Sequence, residues 1–476
     1  MTACAYRKRY TIANRGFLLC LFLLLPAYLW SDIFVRWTTP HPPSPSELGF
    51  RDIAVPWNES ATSLLENLSK QGYRVYVETS MQDARAAGER VANKGAAGLL
   101  VTIAQSERDA GQTTIAALRV SYPNLKILAL TPDGKQPQMR GGLVIKHDAV
   151  LEVSSPTAQP WIDSNLSLVR IEERAFPEQV PLYTFSWSKP QNGEQRDSLE
   201  GTDYLLAVAE AGVFHAHLLL QVDEELQKGL SEHVSSAWKL WNQVRSYGNF
   251  NQPLHDTVEP AANLALVVND LDTGDEVMNL LSRHNIPFQV FLPGDLQKVD
   301  PQVFDVIAVF AKPDERSSAR LVDLANAGKT VVVIDAHGSY PWQKGVAEHL
   351  NERTTSYAVG NGKVLELSEP VSDPETFAQD IRRLIGKQHA LISLWNGLTT
   401  IAVPYRQKGG KLKLVEFINY AGEPVRVQVQ VRGSFTSIRY ETPQGKCCQS
   451  LSPVSHDGFT EFVIPELAIT GRVHLE

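Results

Sequence analysis

The sequence predicts an α/β protein in three folded parts. A (β/α) barrel, closed or incomplete, comes first. A flavodoxin-like α/β domain follows, then a C-terminal antiparallel β-sandwich. Three observations predict this. Short apolar strands alternate with helical patterns over residues 50–255, which builds βα units and a parallel sheet. The alternation resumes over 262–388 with near-continuous apolar strands. From 390 to 476 the pattern changes to period-two alternation broken by turn residues. A chain of 476 residues also exceeds one ordinary core.

Residues 1–15 carry Arg7, Lys8, Arg9 and Arg15 and read as a cytoplasmic N-terminus. The run "GFLLCLFLLLPAYLWS" is uncharged, and "DIFVRW" extends it, so 16–36 read as a single membrane anchor. That orientation puts the folded part outside, in a periplasm or beyond the cell. A cleaved signal peptide is the rival reading, but no small-x-small site follows the run. Residues 37–49 hold four prolines in "TTPHPPSPSELG" and read as an extended tether.

The barrel strands are "RDIAVPW" (51–57), "YRVYVET" (73–79), "AGLLVTI" (97–103), "LKILALT" (125–131), "AVLEVSS" (149–155), "PLYTFSW" (181–187) and "HAHLLLQV" (215–222). Helices fit about 60–71, 161–176, 201–213 and 229–247. An open doubly wound sheet is the competing reading. In a barrel, function sits at the C-terminal strand ends. Trp57 and Asn58 follow the first strand and Glu78 ends the second. Gln159, Trp161, Asp163 and Asn165 lie in "PTAQPWIDSN", Trp187 ends "YTFSW", and Glu200 lies in "SLEGTDY".

Those residue types suit a sugar. Aromatic faces stack on pyranose rings, and amides and carboxylates pair with hydroxyls. Trp57, Asn58, Gln159, Trp161, Asn165 and Trp187 are therefore the candidate ligand-binding residues. Glycoside hydrolysis adds two carboxylates, one acid and one base or nucleophile. Glu78, Asp163 and Glu200 are the candidates for catalysis. A blander reading stands beside each: a rim tryptophan that only packs, or an Asp that only caps a helix. Glu152 sits inside a strand, as a barrel-interior carboxylate or an ion-pair member.

Other chemistries are excluded. A net charge of −8 with no basic block beyond the N-terminus argues against nucleic acid. His215 and His217 lie two apart with no third ligand nearby, so no metal site is expected. Cys447 and Cys448 are adjacent, and neighbouring cysteines rarely bridge, so neither a disulfide framework nor a zinc site is expected. No cysteine lies between Cys20 and Cys447, which removes a thiolate nucleophile from the second domain. That domain also lacks G-x-G-x-x-G, a P-loop and a G-x-S-x-G elbow, so no cofactor is expected. A structural or oligomerising role is left for it.

Three stretches carry a family likeness: "FDVIAVFAKPDERSSARLVDLANAGKTVVVID", "GNGKVLEL…DPETFAQDIRRLIG" and "LKLVEFINYAGEPVRVQVQV…FVIPEL". With the barrel before them, the chain resembles β-galactosidases built as catalytic barrel, amidotransferase-like trimerisation domain and C-terminal β-domain. The resemblance implies a Glu acid/base, usually after an Asn, beyond the fourth strand, and a Glu nucleophile beyond the seventh. Counted from "RDIAVPW", the fourth strand runs into Asp133 without an Asn-Glu pair, and the seventh runs into Asp223, Glu224 and Glu225. The expected function is thus a membrane-anchored, exported glycoside hydrolase-like protein that binds envelope or extracellular polysaccharide. An active glycosidase with a carboxylate pair and a non-catalytic scaffold, either one a homo-oligomer, are the alternatives.

Overall fold

The computed structural model describes residues 33–58, 61–140, 144–147, 150–153, 160–187, 199–251, 257–445 and 447–476. Seven parallel strands form the first sheet: β1 (Ile33–Arg36), β2 (Asp52–Pro56), β3 (Arg74–Ser80), β4 (Gly98–Thr102), β5 (Lys126–Leu130), β6 (Leu182–Tyr183) and β7 (His217–Gln221). Their order is β6-β7-β1-β2-β3-β4-β5. The open ends meet at a parallel bridge between Thr131 and Tyr183. Thr131 N donates to the Leu182 carbonyl and Thr184 N to the Thr131 carbonyl, both at 2.9 Å. The sheet is therefore a nearly closed parallel barrel.

Two expectations about the start of the chain need correction. Ile33–Arg36, read as the end of an anchor, is β1 and pairs with both β2 and β7. Its run "IFVR" is apolar because a barrel strand is covered on both faces. Among the described residues no helix is long and apolar enough to cross a membrane; residues 16–32 lie outside them. The proline-rich stretch is no free tether either. Trp37 is fully buried. The Thr38 and Thr39 amides donate to the Gln227 side chain at 3.0 and 3.2 Å, and the Tyr73 hydroxyl to the Pro43 carbonyl at 2.6 Å. Ser44 and Glu47 form a capping box on a one-turn helix, Pro45–Leu48. Gly49 ends it at φ 80°, a left-handed conformation suited to glycine.

The expected strand 149–155 is not in the barrel. Val150–Val153 pairs antiparallel with Val144–His147 in a separate two-stranded ladder. The expected helix 161–176 begins instead as a strand, Trp161–Asp163, paired with Gln138–Arg140; the helix covers Leu166–Ala175.

The second region has a seven-stranded sheet in the order 288–291, 264–267, 306–309, 330–333, 362–367, 354–359, 347–349. The first five strands are parallel, and the last two add antiparallel. The parallel order is flavodoxin-like. The third region is a sandwich of a six-stranded and a four-stranded antiparallel sheet. Val427, Val429 and Val431 point into its core between exposed neighbours, the expected period of two. The segment leaving the barrel, Val258–Pro260, is an edge strand of the six-stranded sheet, paired with Thr400–Gln407. One hydrophobic cluster runs from Val35 of the barrel through Leu264 and Leu280 to Ile401 and Tyr420.

Candidate functional site

Side chains alternate faces along each strand, so one residue in two points into the barrel. Phe34, Ala54, Tyr76, Leu100, Leu128, Leu130, Leu182 and Leu219 form a separate buried cluster, which is the barrel interior. Two residues back along the strands, the same phase brings Asp52, Arg74, Lys126 and His217 to the N-terminal end. Asp52 is held by Arg74 at 2.5 Å. Burial still raises the Asp52 carboxyl and lowers the Lys126 ammonium. Two residues forward, the phase brings Arg36, Pro56, Glu78, Thr102, Thr184 and Gln221 to the C-terminal mouth.

The mouth is the face where barrel proteins place function. Glu78 sits there as expected. Its Oε2 lies 2.6 Å from Arg36 Nε, and both side chains are partly exposed. Gln221 Nε2 donates to Thr184 Oγ1 at 3.1 Å, and Thr184 Oγ1 donates to the Leu219 carbonyl at 2.9 Å. The carbonyl of Gln221 accepts from Trp187 Nε1 at 2.8 Å. Trp187 stands edge-on to Phe185 and Tyr204, with centroids 4.8 and 5.2 Å apart. It is half-buried at the rim, beside the ends of β6 and β7.

The other expected residues scatter. Trp57 is in the opposite phase, packs on the outer core and carries Arg90 over its ring at 5.7 Å. Asn58 is exposed beyond β2. Gln159 lies outside the described residues. Asp163 is buried in the short ladder away from the barrel, where it accepts from Arg140 Nε at 2.5 Å, Trp161 Nε1 at 3.0 Å and Gln138 Nε2 at 3.1 Å. A carboxylate so occupied forms a structural ion pair. Trp161 faces Arg283 of the second region, 5.4 Å from its ring. Glu200 is the exposed N-cap of helix Gly201–Val213, in a capping box with Asp203. Glu152 falls in the separate hairpin.

Asn165 holds a buried network. Its side chain accepts from Lys135 N at 2.7 Å and donates to the Lys135 carbonyl at 2.8 Å and to Glu210 Oε1 at 2.6 Å. Glu210 is completely buried and also accepts from the hydroxyls of Tyr183, at 3.3 Å, and Tyr420. Burial pushes its carboxyl up to about 7, against these hydrogen bonds. The network ties the barrel to the sandwich.

The two histidines diverge. His215 has φ 58°, stacks on Tyr405 at 3.8 Å and lies 3.1 Å from Glu416 Oε2. His217 turns inward beside Phe34. Cys447, Cys448 and Glu441 lie close together near the C-terminus.

Because Ile33–Arg36 is the first strand, "LKILALT" is the fifth. The fourth, β4, runs into Gln105 and an exposed Glu107. Gln105 N donates to Asp133 Oδ2 at 2.7 Å, and its Nε2 donates to Glu172 Oε1 at 2.5 Å. Burial raises the Glu172 carboxyl. The seventh strand ends at Gln221, and Asp223 beyond it is spent as an N-cap, accepting from Leu226 N at 2.7 Å and from the Tyr204 hydroxyl. Beyond the fourth strand the chain carries Gln105 and Glu107 in a short 3-10 turn, and the seventh ends at Gln221. Sequence reading missed Arg36, Thr184 and Gln221, because the first was assigned to an anchor. The i, i+2 phase from Leu219 to Gln221 was the signal that could have found the last.

No family model matches the sequence, and no curated protein matches it. Solved structures do share the fold. α-L-Fucosidase isoenzyme 2 from Paenibacillus thiaminolyticus superposes with a TM-score of 0.56 at 11% identity, over 93% of this chain and 100% of that one. A catalytic mutant of a GH42 β-galactosidase from G. stearothermophilus gives 0.53 at 9% identity, over 91% and 95%. A β-galactosidase from Rahnella sp. R3 gives 0.53 at 9%, over 93% and 99%. The chain therefore has a glycoside hydrolase-like fold along almost its whole length.

Proposed function

We propose that this protein binds polysaccharide at the barrel mouth and does not cleave it. One observation carries the reading. Among the described residues, the inward carboxylate at the mouth is Glu78, and Arg36 neutralises it. Hydrolysis needs a second carboxyl across the cleft, at roughly 5 Å for retention or roughly 6.5–9.5 Å for inversion. Gln221 ends the seventh strand, and Gln105 follows the fourth. Amides still donate and accept hydrogen bonds, so they suit sugar hydroxyls while lacking a proton to give. Trp187, at the same rim, offers an aromatic edge.

The solved relatives named as galactosidases and a fucosidase make a saccharide the ligand class that this fold supports best. Export through the apolar run of residues 16–31 belongs to the proposal, with envelope or extracellular polysaccharide as the partner.

The test is a panel of polysaccharides offered to the full chain, with binding and reducing-end release read together. Binding without release is expected, weakened about ten-fold by Gln221→Ala or Trp187→Ala. Release of reducing ends that Glu78→Gln abolishes would overturn the reading and make the mouth hydrolytic.

A further inference from the structure

A second cleft lies away from the barrel mouth, between the flavodoxin-like region and the sandwich. Its volume is about 520 Å³, within the range of small-ligand sites. One wall is the end of helix Pro374–Ile385 and the loop after it, with Arg382, Lys387 and Gln388. The other is strand Ile392–Trp395, an edge of the four-stranded sheet, and the turn after it. Trp395 is 44% exposed, and Leu398 nearby is 56% exposed. Large aromatic surface left open on a domain marks an interaction site more often than chance.

The charge of this cleft runs against that of the chain. Arg382 and Lys387 line its open side with one carboxylate, Asp457, while the buried Arg283 lies deeper and Glu375 stands near both arginines; the whole protein carries −8. Arg382 is anchored by donating to the His284 carbonyl. Lys387 forms no ion pair with any described residue. A cation excess attracts an anion, and the open indole beside it suits the apolar face of a ring. Asn396 and Gln388 add amides, the groups that pair with hydroxyls.

We propose that this cleft binds an acidic saccharide, a uronic-acid segment of a polysaccharide, with Trp395 against the ring and Lys387 and Arg382 toward the carboxylate. The site is separate from the barrel mouth and does not depend on the reading given to that mouth.

Calorimetry on the full chain tests it, with oligogalacturonate as the probe and a neutral galacto-oligosaccharide of equal length as the control. Oligogalacturonate binding should fall about ten-fold in Trp395→Ala and in Lys387→Glu. It should also weaken between about 50 and about 500 mM salt, and stay unchanged in Lys239→Glu, the same charge reversal at an exposed lysine of helix Ser235–Asn251. Thermal unfolding checks that the variants fold; Gln388→Ala and Lys387→Glu carry the test if Trp395→Ala does not. The proposal is overturned by absent oligogalacturonate binding, by equal binding of the neutral control, or by a loss in Lys239→Glu as large as that in Lys387→Glu. Failure of the barrel-mouth panel alone leaves these outcomes unaffected.

Discussion

Glu210 is the residue whose environment most departs from water. It is fully buried, its partners are the hydroxyls of Tyr183 and Tyr420 and the amide of Asn165, and its carboxyl titrates near 7. Its ordinary value is 4.5, so the folded state holds the proton more tightly than the unfolded one. The stability this adds is complete below about pH 4.5 and is lost as pH rises towards 7. Full loss is on the order of 3 kcal/mol. Burial raises Asp52 and Glu172 with the same sign. The midpoint of chemical unfolding should therefore fall between pH 5 and pH 7.5, and Glu210→Gln should make that fall shallower. An unchanged slope in Glu210→Gln would assign the titration to the other carboxyls. Sequence reading placed Glu78 at the C-terminal end of its strand because the run "YRVYVET" ends there. It could not place Glu210, because helix Gly201–Val213 is buried on nearly every side and shows no polar stripe.

At the scale of elements, β1 is the decisive case. Its four residues follow directly on the apolar leader run, and hydropathy cannot separate a lipid-facing run from a strand covered on both faces. The pairing partners settle it, and these are far away in sequence: Phe34 pairs with Leu219. The same reason hid the Trp161–Asp163 ladder, since a three-residue strand has no period to read. The strands of the flavodoxin-like region, though as short as β1, were legible because turn and helix signals bound each apolar run, and the sandwich strands because they alternate cleanly. A chain shortened to begin at residue 46 would lose β1, Trp37 and the Pro43 carbonyl that Tyr73 donates to. It should be recovered as insoluble or protease-sensitive material, while a chain beginning at residue 33 should give a trypsin-resistant product. Equal protease resistance of the two would mean that β1 is dispensable.

Across the whole molecule, buried polar links join the three regions. Arg108 donates to the Asn269 carbonyl at 3.1 Å, Arg174 to the Val290 carbonyl at 2.8 Å, and Asn279 to the Ile162 carbonyl at 3.1 Å. Tyr405 donates to the Val213 carbonyl at 2.7 Å. Arg472, almost fully buried, faces Glu416 at 3.3 Å and lies 4.0 Å over the Phe250 ring. With a core cluster common to all three regions, calorimetry should show one dominant unfolding transition. Arg472→Ala leaves Glu416 buried without its guanidinium, at a cost of about 3–5 kcal/mol, and should lower that transition rather than split off a second one. Separate transitions in the unmodified protein would show that the regions melt independently.

The strand Val258–Pro260 has a consequence for synthesis. It leaves the ribosome with the barrel, yet its partner Thr400–Gln407 follows only after the flavodoxin-like region, 140 residues on from Pro260 to Thr400. At about 5–20 residues per second that is a wait of roughly 7–28 s. During it the nascent chain presents an open strand edge and a barrel flank whose covering, Tyr405 and Tyr420, has not yet been translated. Translation speed across residues 261–399 therefore sets how long the half-made protein is open to mispairing.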